Sequence, residues 1–203
     1  TTDKMTANSG TCDNSKVRVL QWNARGRKNL IFLNQHLKKH EYDVLCLQSL
    51  GSVKKQGIPI IPNYQFPHIA LDNDRKLQVA TYVRKGLISS PLTTPEVELL
   101  NEDPNAYLID IYDQRAKHIF IKGIQIHSDS KNHANLKIIN CYFPQPSVIN
   151  WKWIQDLQNP ADHIICGDFN VNDLMWSSSR SARNTFLGDC ICESELTLLN
   201  SRT

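Results

Sequence analysis

Five strand-length runs, separated by segments rich in Gly, Pro, Asn and Asp, limit what this chain can fold into: residues 43–48 (DVLCLQ), 77–84 (LQVATYVR), 119–126 (IFIKGIQI), 136–142 (LKIINCY) and 163–166 (HIIC). The first is near-continuously apolar, the pattern of a strand covered on both faces, and the last also reads as a buried strand. Residues 17–22, 65–71 and 106–113 read as further strands. Gly26 breaks the first of these ahead of residues 29–40, where Leu30, Leu33 and Leu37 recur at helical spacing and Lys38 and Lys39 supply cations near the C-terminal end. Ser147 is a suitable cap for a second helix carrying Trp151, Ile154 and Leu157 on one face, with Pro160 ending it. Residues 184–193 read as a last helix and 196–200 as a closing strand, while residues 51–63, with Lys54, Lys55, Gly57, Pro59 and Pro62, read as a loop. Many strands with helices toward both ends predict an α/β layered sandwich, two stacked sheets flanked by helices.

A chain of 203 residues with 40% hydrophobic content can bury one sizeable core and is too short for two ordinary domains. Residues 1–15, rich in Thr, Ser, Asn and Asp without apolar periodicity, are expected to be a disordered leader to a domain spanning 16–203. A net charge of +3 is mildly basic and does not by itself demand a polyanionic partner. No apolar run approaches the roughly 20 residues of a membrane span, and the first 16 residues hold no signal-peptide core, so an intracellular chain, nuclear or cytoplasmic, is expected. Six cysteines are too few for a disulfide scaffold at this length. Cys46, Cys141 and Cys166 sit inside apolar runs and read as reduced, buried thiols. Cys190 and Cys192 form a C-x-C pair with no further zinc ligands at suitable spacing. Nothing in the sequence points to an oligomer.

The stretch most informative about chemistry is residues 164–170 (IICGDFN), where a buried strand delivers Asp168 and Asn170 to the loop at its end. Period-two geometry would point both side chains the same way. An ionised Asp can orient a water and accept its proton, and an Asn can donate to a phosphate oxygen or coordinate a hard cation. The same D-x-N after a glycine is also common turn chemistry, an Asx turn closing a strand. Other strand-like runs also end on polar groups: Gln21-Trp22-Asn23, Leu47-Gln48 and Asn140-Cys141-Tyr142.

The ordered set LQWNARG, DVLCLQ, VATYVRKG, IINCYFPQP and CGDFNVNDLMW resembles the endonuclease/exonuclease/phosphatase superfamily, and within it the apurinic-type endonuclease domain of non-LTR retrotransposons. The resemblance spans residues 16–200. It implies a four-layer αββα sandwich of two mixed sheets, with the site at one edge and a divalent metal, Mg2+ or Mn2+, serving phosphodiester hydrolysis on DNA. Carried over by motif, Asn23 would help bind the metal or its waters, Tyr142 would contact the scissile phosphate, Asp168 would orient the attacking water and Asn170 would hold phosphate. Trp176 would touch DNA or serve as a core aromatic. Arg25, Arg27, Lys28, Lys54 and Lys55, in predicted loops, would contact phosphates or lie solvated on the surface.

Two departures qualify the resemblance. Ser49 stands where the family carries its metal-binding glutamate, which removes a negative charge at the cation and implies weak metal binding. The family's closing Ser-Asp-His motif would lie beyond Thr203, so the last strands are expected to be missing, possible continuation being a reverse-transcriptase region in a longer parent protein. His127 and His133 flank a predicted hairpin and read as solvated loop histidines. The expected function is a metal-dependent DNA endonuclease domain of retrotransposon origin, impaired in catalysis. The alternatives are a catalytically silent nucleic-acid- or protein-binding module on the same fold, and a phosphatase or phospholipase of the same superfamily. Asn23, Tyr142, Asp168 and Asn170 are expected to converge at the C-terminal ends of central strands, with Ser49 on the same rim.

Overall fold

The structure, a computed structural model, describes residues 17–92, 120–127, 135–144, 154, 157, 162–170, 187–197 and 199. Its described strands form two mixed sheets of four. The first comprises β1 (Val19–Asn23), β2 (Val44–Ser52), β3 (His68–Leu71) and β4 (Lys76–Val83) in the order β1-β2-β4-β3. The second comprises β5 (Ile88–Pro91), β6 (Phe120–His127), β7 (Leu136–Tyr142) and β8 (His163–Asp168) in the order β5-β6-β7-β8. Each sheet has one parallel pair, β1 with β2 and β7 with β8; the remaining neighbours are antiparallel. Helix α1 (Leu30–Leu37) follows a 3-10 turn at Arg27–Asn29, and α2 (Leu187–Glu193) lies near the end of the chain.

Three apolar layers cover the strands. Val44, Cys46 and Val83 of the first sheet meet Ile124, Ile126 and Ile138 of the second between the sheets. The alternate residues Leu45, Leu47, Ala80 and Tyr82 point outward, where Leu30, Leu33 and Leu37 of α1 cover them. Ile121, Ile139 and Cys141 point outward from the second sheet and pack with Leu187, Cys190 and Ile191 of α2, and with Ile154 and Leu157. Strand alternation thus serves two cores at once, and the α/β sandwich expected from the sequence is the architecture observed.

Several boundaries differ for identifiable reasons. β2 runs past Gln48 to Ser52 because a bulge between Gln48 and Gly51 lets pairing with β4 resume at Gly51↔Leu77 and Ser52↔Lys76. β3 begins only at His68; Pro67 lacks an N–H, and of the preceding residues Tyr64 forms an isolated bridge with Arg84. α1 stops at Leu37, leaving Lys38 and Lys39 beyond it. Leu196, Thr197 and Leu199 lie in no strand, correcting the closing strand expected there; the Leu196 N–H instead donates to Ser194 Oγ at 3.2 Å. His127 is no loop histidine: it ends β6, and its Nε2 lies 2.8 Å from Ser90 Oγ on β5. Among the described strands β1 and β8 stand at the edges of their sheets. The leader, the strand at 106–113, His133 and most of the helix after Ser147 lie outside the described residues.

Cys46 and Cys141 are fully buried, while Cys192 is exposed. Contact with the Cys166 thiol and burial push the Cys46 thiol well above its usual pKa, and burial does the same to Cys141. Both stay protonated at pH 8, and only a thiolate alkylates readily. Iodoacetamide at that pH is therefore expected, among the described cysteines, to label Cys192 first in the folded chain and to leave Cys46 and Cys141 unlabelled until denaturant is added, as read by peptide mass spectrometry.

Candidate active site

The edge strands of the two sheets bring the site together. Val19, Gln21 and Asn23 alternate toward the second sheet, and Ile164, Cys166 and Asp168 alternate toward the first. At the strand ends the Asn23 Nδ2 amide donates to Asp168 Oδ2, joining residues 145 apart in sequence and one from each sheet. Arg25 N–H donates to Asn23 Oδ1 at 3.0 Å, fixing the amide's orientation, and Asn170 N–H donates to Asp168 Oδ1 at 3.2 Å. The Asx turn and the site geometry therefore coexist. Asn170 does not share the direction of Asp168 as strand alternation predicted; β8 ends at Asp168, Asn170 has φ +49°, and its Nδ2 donates to Phe143 O at 2.9 Å.

Gly167 allows this placement. A Cβ there would stand 2.0 Å from the Cys141 carbonyl oxygen, so only glycine lets β8 lie this close to β7 one residue before the carboxylate. Five described non-glycine residues have positive φ, and three of them, Arg25, Ser49 and Asn170, sit in the loops or bulge at this rim. Backbone strain of this kind concentrates where side chains must be aimed.

Beside Asp168 opens a cleft of about 680 Å³, lined by Asn23, Arg25, Asn29 and Phe32 from the first half of the chain and by Gly167 and Asp168 from the second. The remaining sequence candidates lie around it. Tyr142 is the register partner of Asp168 on β7, but its ring stacks on Phe120 with centroids 6.4 Å apart, and it does not line the cleft. Ser49 is on the same rim, one residue past the Asn23↔Gln48 pair, and its carbonyl accepts from Gly26 N–H at 2.7 Å; it too is outside the cleft lining. Lys54 and Lys55 are exposed on the turn after β2. Arg27 ties that turn to the loop after β1, its guanidinium donating to Gly57 O at 2.7 Å and Gln56 O at 3.1 Å. Arg27 is thus engaged with the chain itself instead of free for a ligand. Trp176 lies outside the described residues.

One layer beneath the rim runs a buried chain of amides that sequence reasoning missed. Gln21 Nε2 donates to Gln48 Oε1 at 2.7 Å, Gln48 Nε2 donates to Asn140 Oδ1 at 2.6 Å and Cys46 O at 3.1 Å, and Asn140 Nδ2 donates to Thr81 Oγ1 at 3.1 Å and Ala80 O at 3.3 Å. Gln48, Asn140 and Thr81 are wholly buried. The network crosses from β1 through β2 to β7 and returns to β4, so it pins the two sheets in one register directly under Asn23 and Asp168. Its only trace in the sequence is a polar residue at an inward position of an apolar run, as in DVLCLQ and KIINCY.

The described residues offer a divalent cation few donors. Among the described residues no group of three or more His, Cys, Asp or Glu is placed to hold a metal. The cleft offers a single carboxylate, whose two oxygens already accept from Asn23 and Asn170, while Asn23 Oδ1 accepts from Arg25. Magnesium keeps several waters and is held through one or two carboxylates, so one carboxylate that already accepts two hydrogen bonds makes at most a weak site.

A carboxylate, an oriented amide and a guanidinium at the mouth of a two-sheet α/β sandwich define a class of site suited to a phosphate ester, with a proton acceptor beside donors for phosphate oxygens. Residues 136–203 match the family described as endonuclease-reverse transcriptase. The match contains Tyr142, Asp168 and Asn170, whereas Asn23 and Arg25 come from the segment before it. No curated protein matches the chain.

Proposed function

We propose that this cleft hydrolyses a phosphodiester of DNA, as the apurinic-type endonuclease domain of a non-LTR retrotransposon would in nicking its target. The observation that carries the reading is the Asn23–Asp168 contact across the sheets, which sets a carboxylate next to the Arg25 side chain in one cleft. In this reading Asp168 orients a water and accepts its proton as the oxygen attacks phosphorus; the ester P–O bond to one deoxyribose breaks, and the leaving alkoxide takes its proton from solvent. Asn23 holds the carboxylate in place, and Arg25 neutralises charge that builds on the non-bridging oxygens. Hydrolysis is weak in this proposal, and so is magnesium or manganese binding, because one engaged carboxylate is a poor cation site. Lys54 and Lys55, held on the turn tethered by Arg27, add contacts to the DNA backbone.

The same engagement of Asp168 and Asn23 favours one second reading, a silent module that binds nucleic acid without cutting it. Supercoiled plasmid separates the two. With Mg2+ or Mn2+ the chain is expected to produce open circles slowly, and Asp168→Ala is expected to lower that rate by at least about a hundredfold. Nicking that survives in Asp168→Ala would overturn the site. Intact plasmid with salt-dependent binding would replace hydrolysis by the silent module.

A further inference from the structure

Phe32 stands in the cleft wall without a packing role. On α1 the core contacts are made by Leu30, Leu33 and Leu37, while Phe32 is 61% exposed and makes no ring contact among the described residues. A single exposed aromatic is ordinary on a protein surface. What distinguishes Phe32 is that it lines the same cleft as Asn23, Arg25 and Asp168. Arg25 lines the same cleft, and its guanidinium makes no hydrogen bond or ion pair among the described residues, while its backbone, at φ +49°, donates its N–H to Asn23 Oδ1. An apolar ring, a free cation and a carboxylate–amide pair therefore share one concave surface.

From this we infer that Phe32 is a stacking platform for a nucleobase next to the phosphate handled at Asp168, with Arg25 beside it on the strand's backbone. The inference rests on the phosphodiester reading above and narrows its substrate to nucleic acid with at least one unstacked base. In a regular duplex both faces of each base are covered by its neighbours, so a flat aromatic wall gains nothing there. Single strands and locally opened duplexes present a free face. A small phosphoester without a base would use the polar end of the cleft and leave Phe32 unused.

Three fluorescently labelled oligodeoxynucleotides of equal length test this by anisotropy with the full chain: a single strand, the same strand with abasic residues throughout, and a duplex. The base-bearing single strand is expected to bind about tenfold tighter than the abasic one. Phe32→Ala should erase that difference, Phe32→Trp should keep it, and the salt dependence of Phe32→Ala should match wild type because phosphate contacts remain. Equal binding of abasic and base-bearing strands by wild type, or unchanged discrimination in Phe32→Ala, overturns the platform. If salt-dependent binding persists in that case, the phosphodiester reading stands and this inference alone fails. If no oligonucleotide binds, both fall.

Discussion

Gly167→Ala is expected to destabilise the chain by about 3–5 kcal/mol, lowering its melting temperature by roughly 10 °C. The added methyl would lie 2.0 Å from Cys141 O, 2.8 Å from Cys141 C and 2.9 Å from Cys141 N. These are backbone atoms of the neighbouring strand, with no rotamer to give way. Gly167 also has φ +153°, a conformation that adds strain for any residue with a Cβ. Relief requires β8 to move off β7, which displaces Asp168 from Asn23. Differential scanning calorimetry reads the stability loss, and nucleic-acid binding reads the displacement. A melting point within a degree or two of wild type would show that the close approach of β7 and β8 is not maintained.

Gln48→Leu is expected to cost about 3 kcal/mol, although it replaces a buried polar residue by an apolar one of similar size. The cost arises in what remains: Asn140 Oδ1 loses its donor at 2.6 Å, and Gln21 Nε2 loses its acceptor at 2.7 Å. Asn140 is buried completely, so no water replaces the bond at low cost. Asn140→Leu should be comparably damaging because it strands Thr81 and Gln48. The double variant should lose clearly less than the sum of the singles, since each deletion removes the orphan that the other creates. Urea denaturation of the four proteins completes the cycle. Additive losses would mean that the amides act independently and do not form a network.

The sequence was most legible where a strand serves two cores through plain alternation. β7 was expected at residues 136–142 and is observed at Leu136–Tyr142, because KIINC feeds Ile138 to the layer between the sheets and Ile139 and Cys141 to the layer under α2. It was least legible where distant pairing overrides a local pattern. The bulge that carries β2 beyond Gln48 is set by where β4 resumes its ladder, and nothing within residues 43–52 announces it. The direction of Asn170 was misread for a similar reason: the strand period holds only while the ladder lasts, and β8 ends two residues too early. Likewise, Gln48 and Asn140 look like ordinary strand-end polar residues until the stacking of two sheets puts one against the other. Phe32 carried no signal, since an exposed position on a helix is defined only once its opposite face has been buried.

The contact between Asn23 and Asp168 also makes the cleft a reporter of assembly. Strands β1 to β4 form one sheet and β5 to β8 the other, each from its own continuous stretch of sequence, while the cleft exists only after the sheets dock. A ligand that spans Arg25 and Asp168 therefore binds the docked form and neither part alone. By mass action such a ligand stabilises docking by RT ln(1 + [L]/Kd), about 2.7 kcal/mol at a hundredfold excess over Kd. Under the proposed function, nucleic acid in the cleft would act as a clamp as well as a substrate, holding closed the apolar layer of Val44, Cys46, Ile124 and Ile138 that would otherwise meet water.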